Sequence, residues 1–424
     1  MTKKIILCII TFLYGLNNTS FSIGDVRIRL FHLFGALLVI SLLDEYFSMK
    51  KEGNQVRVRN ILTGFLRKEN GYSIFVMSIW FIYALISFFW IRSIPDWQLA
   101  ISFFVIGIFC TIAFSLFLGT RKDVQQAFQI LGIVAIIHNI IGWYEIKTQN
   151  HLLADSYLWG SHPVSFFHNT NNFAVFLFFA VFILYALGES SKNTYLSNFY
   201  KIASLSSIIL IYFTESRGVL LGLAIGLTIF TALSSIDKFK NPVKNNLIQP
   251  AILMILLAIV IIAFSDVLAN FFTTGLDVAD ADRTTLIKNG LAFFRESNGF
   301  GVGAGNIEYW MGEYQQFIVI QDLQNVHNWW VEILVAYGLV IFLLYMKFYY
   351  KLLKNNLYKF VKSKNLIDGS FSKAMVCIMG GFPIVAAVPS TLIFHNFHWV
   401  FWAVAIAFQG VPLVAESRNI PESV

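Results

Sequence analysis

The sequence predicts an all-α integral membrane protein with about twelve transmembrane helices, and three observations carry that expectation. Of 424 residues, 57% are hydrophobic and 13% are charged, whereas soluble domains average about 25% charged. The mean hydropathy is +0.66. The apolar residues fall in runs of about 20, the length a helix needs to cross a hydrocarbon layer. Because backbone in lipid must satisfy its own hydrogen bonds and no alternating strand pattern is visible, the runs read as helices.

Taken in order, the runs lie near 5–23, 30–48, 72–91, 97–119, 124–144, 170–188, 202–215, 217–235, 247–266, 328–346, 374–392 and 395–414. The first follows Lys3 and Lys4 and resembles a signal peptide, but no small-residue cleavage site follows, so it is expected to stay as a first helix. With the N-terminus cytoplasmic, all but eight of the 31 Lys and Arg fall inside; the exceptions are Arg27, Arg29, Arg92, Lys147, Arg217, Arg283, Lys288 and Arg295. That asymmetry fits an even number of spans with both termini inside. The net charge of +7 therefore reports orientation, and nucleic acid is not an expected partner. Cys8, Cys110 and Cys377 all sit in apolar runs and are expected as unpaired packed thiols, with no metal-binding spacing.

No repeat or low-complexity linker divides the chain, so 1–424 is expected to form one multi-pass domain. Two outward segments are long. The first, about 145–169, is rich in His, Asn and aromatic residues, among them His151, Tyr157, Trp159, His162, His168 and Asn169. The second, 267–327, lies between helices 9 and 10 and is expected to carry part of an active site. Within it, Thr284 to Phe294 has helical periodicity, with Leu286, Leu291 and Phe294 expected on one apolar side of a helix lying on the membrane face. Asp277, Asp280 and Asp282 suit the N-terminus of that helix.

Few residues could do chemistry. Arg217 stands in Thr214-Glu215-Ser216-Arg217-Gly218 between two apolar runs. An arginine at membrane depth costs roughly 2.5–3.5 kcal/mol on insertion scales, so it lines a cavity, meets a partner or snorkels to the interface. Gly218 would permit a turn or a close approach there. Arg283 opens the surface helix beside Asp280 and Asp282; alone it reads as a loop salt bridge, but two arginines on one face match the oxygens of a diphosphate. His327, just before Asn328-Trp329-Trp330, can take a proton near neutral pH, or can be an interfacial histidine satisfied by its neighbours. Trp329 and Trp330 suit an interfacial belt and could also stack on a sugar. Gly299 to Gly305 superficially matches a dinucleotide-binding pattern, yet no strand precedes it, so a tight flexible turn is expected. His395 and His398 lack an accompanying carboxylate, and neither a metal nor another cofactor is expected.

Three motifs in this order resemble the O-antigen ligase/polymerase superfamily. They are Ser216-Arg217-Gly218 at a helix junction, Arg283 followed by Gly299-Phe-Gly-Val-Gly303, and His327-Asn328 opening a helix. Asn169-Thr170-Asn171-Asn172-Phe173-Ala174 is similar to that family's Asn-Pro-Asn-x-x-Ala segment, with Thr170 in place of proline. The resemblance covers about 165–345. It implies a multi-pass glycosyltransferase of the GT-C type in the bacterial plasma (inner) membrane, working on the periplasmic or extracellular side. The implied donor is a glycan on undecaprenyl diphosphate, transferred with inversion and without a metal. Carried over, Arg217 and Arg283 would hold the diphosphate and stabilise charge on the leaving group, while His327 would position or deprotonate the acceptor hydroxyl or contact the diphosphate. Asn169, Asn171, Asn328, Trp329 and Trp330 are the further candidates for glycan contact, and a chain-length regulator is a candidate partner.

Within that resemblance a polymerase joins repeat units while they are lipid-linked, and a ligase passes the finished glycan to another acceptor such as lipid A core. The segment His327 to Gly338 resembles capsular, exopolysaccharide or teichuronic-type members, which implies the polymerase. A polysaccharide flippase is the competing class. It should concentrate buried charge at mid-membrane across two pseudo-repeats, whereas the charges here gather at one face and no repeat is visible.

Overall fold

The computed structural model describes residues 2–15, 20–23, 26–51, 70–152, 160–167, 169–240, 278–319, 324–389 and 391–413. The chain is overwhelmingly helical. Helices α1 (Thr2–Phe12), α2 (Leu30–Lys51), α3 (Gly71–Ile86), α4 (Ile94–Phe117), α5 (Arg121–Thr148), α6 (Thr170–Ser190), α7 (Thr194–Phe213) and α8 (Arg217–Lys240) precede the second long outward segment. That segment contributes α9 (Val278–Glu296) and α10 (Ile307–Tyr314), and α11 (Trp329–Lys362), α12 (Leu366–Val385) and α13 (Asn396–Gln409) complete the order. Eleven of the twelve expected apolar runs thus coincide with helices, and the run at 247–266 lies outside the described residues. Seven stretches, from Gly71–Phe89 to Trp329–Lys362, are long and apolar enough to cross a membrane among the described residues. The chain reads as a multi-pass membrane protein.

One departure from the all-helical expectation lies near the N-terminus. The first run does not stay helical to 23: α1 ends at Phe12, and strands β1 (Ser20–Ile23) and β2 (Val26–Arg29) pair antiparallel, Ser20 opposite Arg29 and Ile23 opposite Val26. Val26-Arg27-Ile28-Arg29 alternates apolar and charged residues, a period-2 pattern that a helix cannot place on one face.

The middle of the bundle is built from α6 and α13. Every residue of α13 is buried, polar Asn396, His398 and Gln409 included, and α6 is buried along most of its length. α6 packs on α7 and α12, α13 packs on α4, and α8 packs on α12. Rings fill the centre: Trp80 meets Phe104, Trp329, Tyr337, Tyr345 and Trp399 at centroid distances of 5.0–6.3 Å. None of the three cysteines is in a disulfide; Cys110 and Cys377 are buried and Cys8 is exposed.

The two ends of the bundle carry different ties. At one end Arg121 grips Asp368 through two bonds of 2.6 Å, Lys373 meets Glu189 at 2.8 Å, and buried Lys359 donates to the carbonyls of Phe408 and Val411. Such pairing is what lets buried charges persist. At the other end the ties include hydrogen bonds between uncharged side chains and backbone. Asn306 accepts from the Arg92 and Ser93 amides at 2.8 and 2.7 Å, and the Ser216 hydroxyl donates to Asn171 at 2.8 Å. Arg217, Arg283 and His327 belong to this second end.

The glycine string is not a flexible turn. Gly299, Gly301, Gly303 and Gly305 all hold φ between 71° and 98°, and the segment docks into a break in α11. At Gly338 (φ 76°, ψ 177°) the helix is interrupted. The Val302 and Gly303 amides donate to the exposed carbonyls of Val335 and Ala336 at 2.8 and 3.0 Å, and the Leu339 amide donates to Gly299 at 3.0 Å. A Cβ on Gly338 would stand 2.5 Å from the Gly299 oxygen, and one on Gly301 would stand 2.6 Å from the Gly338 nitrogen. Backbone lies on backbone, so only glycine fits on either side. The Tyr83 hydroxyl and Trp90 indole cap the strand at the carbonyls of Phe300 and Gly301.

Gly338→Ala should therefore lower the melting temperature of the purified protein or prevent its folding, since the added methyl meets fixed backbone in a strained conformation worth about 1–3 kcal/mol by itself. Gly312→Ala is the matched control. It lies within α10 with its nearest neighbour 4.0 Å away and should be neutral or stabilising by about 0.5–1 kcal/mol. Equal melting shifts for the two would contradict the docked-strand description.

Candidate functional site

The turn that carries Arg217 is set by local chemistry. α7 ends at Phe213, the Thr214 hydroxyl donates back to the Ile211 carbonyl at 2.6 Å, and Glu215 takes a left-handed φ of 56°. Arg217 then opens α8 and is exposed. Ser216, buried beside it, donates to Asn171 in the first turn of α6. Asn169 caps α6 by accepting from the Asn171 amide at 2.7 Å. The Asn-Thr-Asn segment and the Ser-Arg-Gly turn, 45 residues apart in sequence, are one piece of structure.

Further ties hold the loop over this turn. Glu145, wholly buried in the last turn of α5, accepts from the Val164 and Ser165 amides at 2.8 and 2.7 Å, and its other oxygen lies 3.5 Å from His151. His138 and the Ser165 hydroxyl are 2.8 Å apart, and the His162 ring reaches the Phe213 carbonyl at 3.3 Å. Glu145 was not singled out from sequence, although a carboxylate inside an apolar helix is itself a signal of function or of a structural tie. Trp159 and His168 lie outside the described residues, as does Tyr157.

Arg283 reaches the site on α9. The helix starts at Val278, so Asp280 and Asp282 sit within it and do not precede it; Asp277 lies outside the described residues. Its inner face is also different from the expectation. Asp282, Leu286, Asn289, Gly290 and Phe293 are buried while Leu291 is 46% exposed, a set spaced at i, i+4, i+7, i+8 and i+11. α9 packs on α11 with Gly290 against Val326, Val331 and Val335. Asn289 clamps the following loop, accepting from the Gln316 and Phe317 amides and donating to the Phe317 carbonyl at 2.7–2.8 Å. Arg283 is half-buried on the first turns of this fixed helix.

His327 stands just before α11 with a left-handed φ of 46°. Burial pushes its pKa below the ordinary 6.5, the nearby Arg283 guanidinium pushes it further down, and a hydrogen bond with the Val388 backbone partly opposes both. Its Nδ1 is buried with no hydrogen-bond partner among the described residues. Val388 in turn touches Gly218, where a Cβ would stand 2.5 Å from its methyl. Contacts thus run from the Arg217 turn through Val388 to His327, and His327 is within electrostatic reach of Arg283. The structure brings the three residues singled out from sequence to one region at one end of the bundle.

The residues beside His327 have other work. Asn328 caps α11, accepting from the Trp330 and Val331 amides at 3.1 and 3.2 Å. Trp329 is 1% exposed and donates to the Tyr345 hydroxyl at 3.0 Å, so it is a core residue and neither an interfacial belt member nor open to a sugar face. Trp330 is half-buried, its indole on the Pro383 carbonyl at 2.9 Å. Glu332 accepts from the Thr391 hydroxyl at 2.6 Å, fixing the loop that bears Val388. His395 and His398 are buried with ring contacts to neighbouring aromatics. Among the described residues no three His, Cys, Asp or Glu side chains gather as a metal-ligand set.

Comparison with known proteins places these features in a context. Residues 202–346, the stretch that holds Arg217, Arg283 and His327, match a family model described as O-antigen ligase. The chain is also similar to a teichuronic acid biosynthesis protein, TuaE, of Bacillus subtilis (strain 168). The two are 29% identical over 430 residues, covering 96% of this chain and 84% of the relative.

The lowered pKa of His327 has a measurable sign. Its imidazole should stay neutral down to a pH below 6.5, and histidine-selective NMR of the full-length protein should show its midpoint there. Arg283→Gln removes the like charge and should move that midpoint upward. An unmoved midpoint would separate the two side chains. By linkage, the folded state should lose stability as the pH falls below about 6.5, where unfolded His327 binds its proton and folded His327 does not.

Proposed function

From the match of residues 202–346 to the O-antigen ligase family model and the similarity to TuaE, we propose that this chain is a polysaccharide polymerase joining undecaprenyl-diphosphate-linked repeat units on the outer face of the bacterial plasma membrane. One observation supports the reading: His327 lies within electrostatic reach of Arg283 and is hydrogen-bonded to the backbone of Val388, whose side chain packs on Gly218 beside Arg217. Similarity to a teichuronic acid biosynthesis protein supports a cell-surface polymer as the product. The ligase is the second reading, in which the glycan passes to another acceptor, and the description of the matching family model favours it.

In the proposed step an acceptor sugar hydroxyl attacks the anomeric carbon of the donor from the side opposite the diphosphate. The new C–O bond forms as the bond to the diphosphate oxygen breaks, and the electron pair leaves on the diphosphate, inverting the centre. Arg217 and Arg283 offer planar donor forks to that growing charge, each charge-assisted hydrogen bond stabilising it by about 1.5–3 kcal/mol. His327, held neutral by burial and by Arg283, receives the hydroxyl proton, and its unpartnered Nδ1 suits that role. The arginines supply the positive charge, so no metal is assigned a part in the transfer. Twelve spans in a GT-C arrangement and a separate chain-length regulator complete the proposal.

Arg217→Ala, Arg283→Ala and His327→Ala, each expressed in a strain lacking the native protein, should reduce long-chain surface glycan by tenfold or more while the protein still inserts. Each lost charged bond of about 1.5–3 kcal/mol is one to two decades in rate. Single repeat units on the acceptor in the deletion strain indicate the polymerase, and full-length chains stranded on the carrier lipid indicate the ligase. Normal chain length in all three variants would end both readings, and vesicles that move lipid-linked glycan without elongating it would favour a flippase.

A further inference from the structure

A small cleft lies beside the loop that carries His327, lined by Glu308 on α10, Asn325, Glu332 and Tyr337, with Ala100 and Ile393 among its apolar walls. Its polar atoms are unevenly used. Glu332 is 6% exposed; its Oε1 accepts from Thr391, and although the Leu392 amide faces the carboxylate, Oε2 has no hydrogen-bond partner among the described residues. Asn325, 8% exposed, gives its amide group to Glu308 at 3.1 Å and leaves Oδ1 buried and unpartnered. The Tyr337 hydroxyl, fully buried, is unpartnered as well.

We propose that this cleft binds one small hard cation of the Ca²⁺/Mg²⁺ class, held by the carboxylates of Glu308 and Glu332 and the carbonyl oxygen of Asn325. The donor set is all oxygen, which suits such ions and not zinc or copper. Glu332 Oε2 and Asn325 Oδ1 stay without donors beside a second carboxylate, Glu308, an arrangement that is costly unless positive charge lies between them. Size excludes a sugar: the free space is about 20 Å³, room for one water or one ion. Glu308 is half-buried, so water reaches the cleft from that side and can fill the remaining coordination positions. The bound ion ties α10 to the residues on both sides of His327, since Asn325 precedes it and Glu332 follows it. The inference goes beyond the transfer reading and does not depend on it, because its test reads binding and not glycan.

The test uses the full-length protein in detergent, stripped with a chelator and dialysed. Thermal melting is followed against Ca²⁺ and Mg²⁺ with K⁺ at matched ionic strength, and Tb³⁺ luminescence excited through the aromatic residues is competed with Ca²⁺. A saturable rise in melting temperature with a divalent ion and none with K⁺ is expected, weakened at least tenfold in Glu308→Gln and in Asn325→Ala. Glu308→Gln keeps the falsification open should Glu332→Gln not fold, because Glu308 is partly exposed. An absent response, a response unchanged in Glu308→Gln, or melting that follows pH alone (a proton shared by the pair) would overturn the proposal.

Discussion

At Gly338 the longest described helix of the protein gives up its own hydrogen bonds, and the structure around the site depends on how they are replaced. Carbonyls freed inside a membrane protein must find donors, because lipid offers none. Here the donors are the amides of Val302 and Gly303, carried by a glycine strand close enough for main chain to lie on main chain. The exchange fixes the short outer half of α11 against the strand and against α9. His327 at the head of that half-helix and Arg283 on α9 are therefore held by backbone, a firmer mount than side-chain packing alone.

Buried carboxylates organise the loops above this frame. Glu145 holds the segment at 164–165 through two backbone amides, and Glu332 accepts from the Thr391 hydroxyl. Each is a carboxyl group in an apolar helix whose partners come from a loop, so each ties that loop to the bundle. The cationic groups arrive from elsewhere: Arg217 through a turn braced by Asn171, Arg283 through α9.

Much of the fold was legible because hydropathy is a local property. Eleven apolar runs became helices near their expected positions, and His327 lies within electrostatic reach of Arg283. What escaped is non-local or depends on a finer period. The glycine string looked like a turn because its partner, Gly338, lies some 35 residues away and nothing in the string itself announces a helix break. Leu291 was assigned to the inner face of α9, yet Leu286, Asn289, Gly290 and Phe293 occupy it, because glycine and asparagine pack there by closeness and hydrogen bonding and not by hydrophobicity. Trp329 looked interfacial because tryptophan often is; Trp80 and His398 from two other helices, with Tyr345 of its own helix, bury it. Glu145 and Glu332 were visible all along as acids in apolar runs, and only their partners were hidden.

The claim on which the functional account rests is that Arg217 and Arg283 together grip a diphosphate. Binding of undecaprenyl diphosphate and undecaprenyl monophosphate to the full-length protein in detergent tests it most directly. The diphosphate should bind at least tenfold more tightly, and that preference should vanish in Arg217→Gln and in Arg283→Gln alike. Equal affinity for the two lipids, or a preference that survives both substitutions, would contradict it.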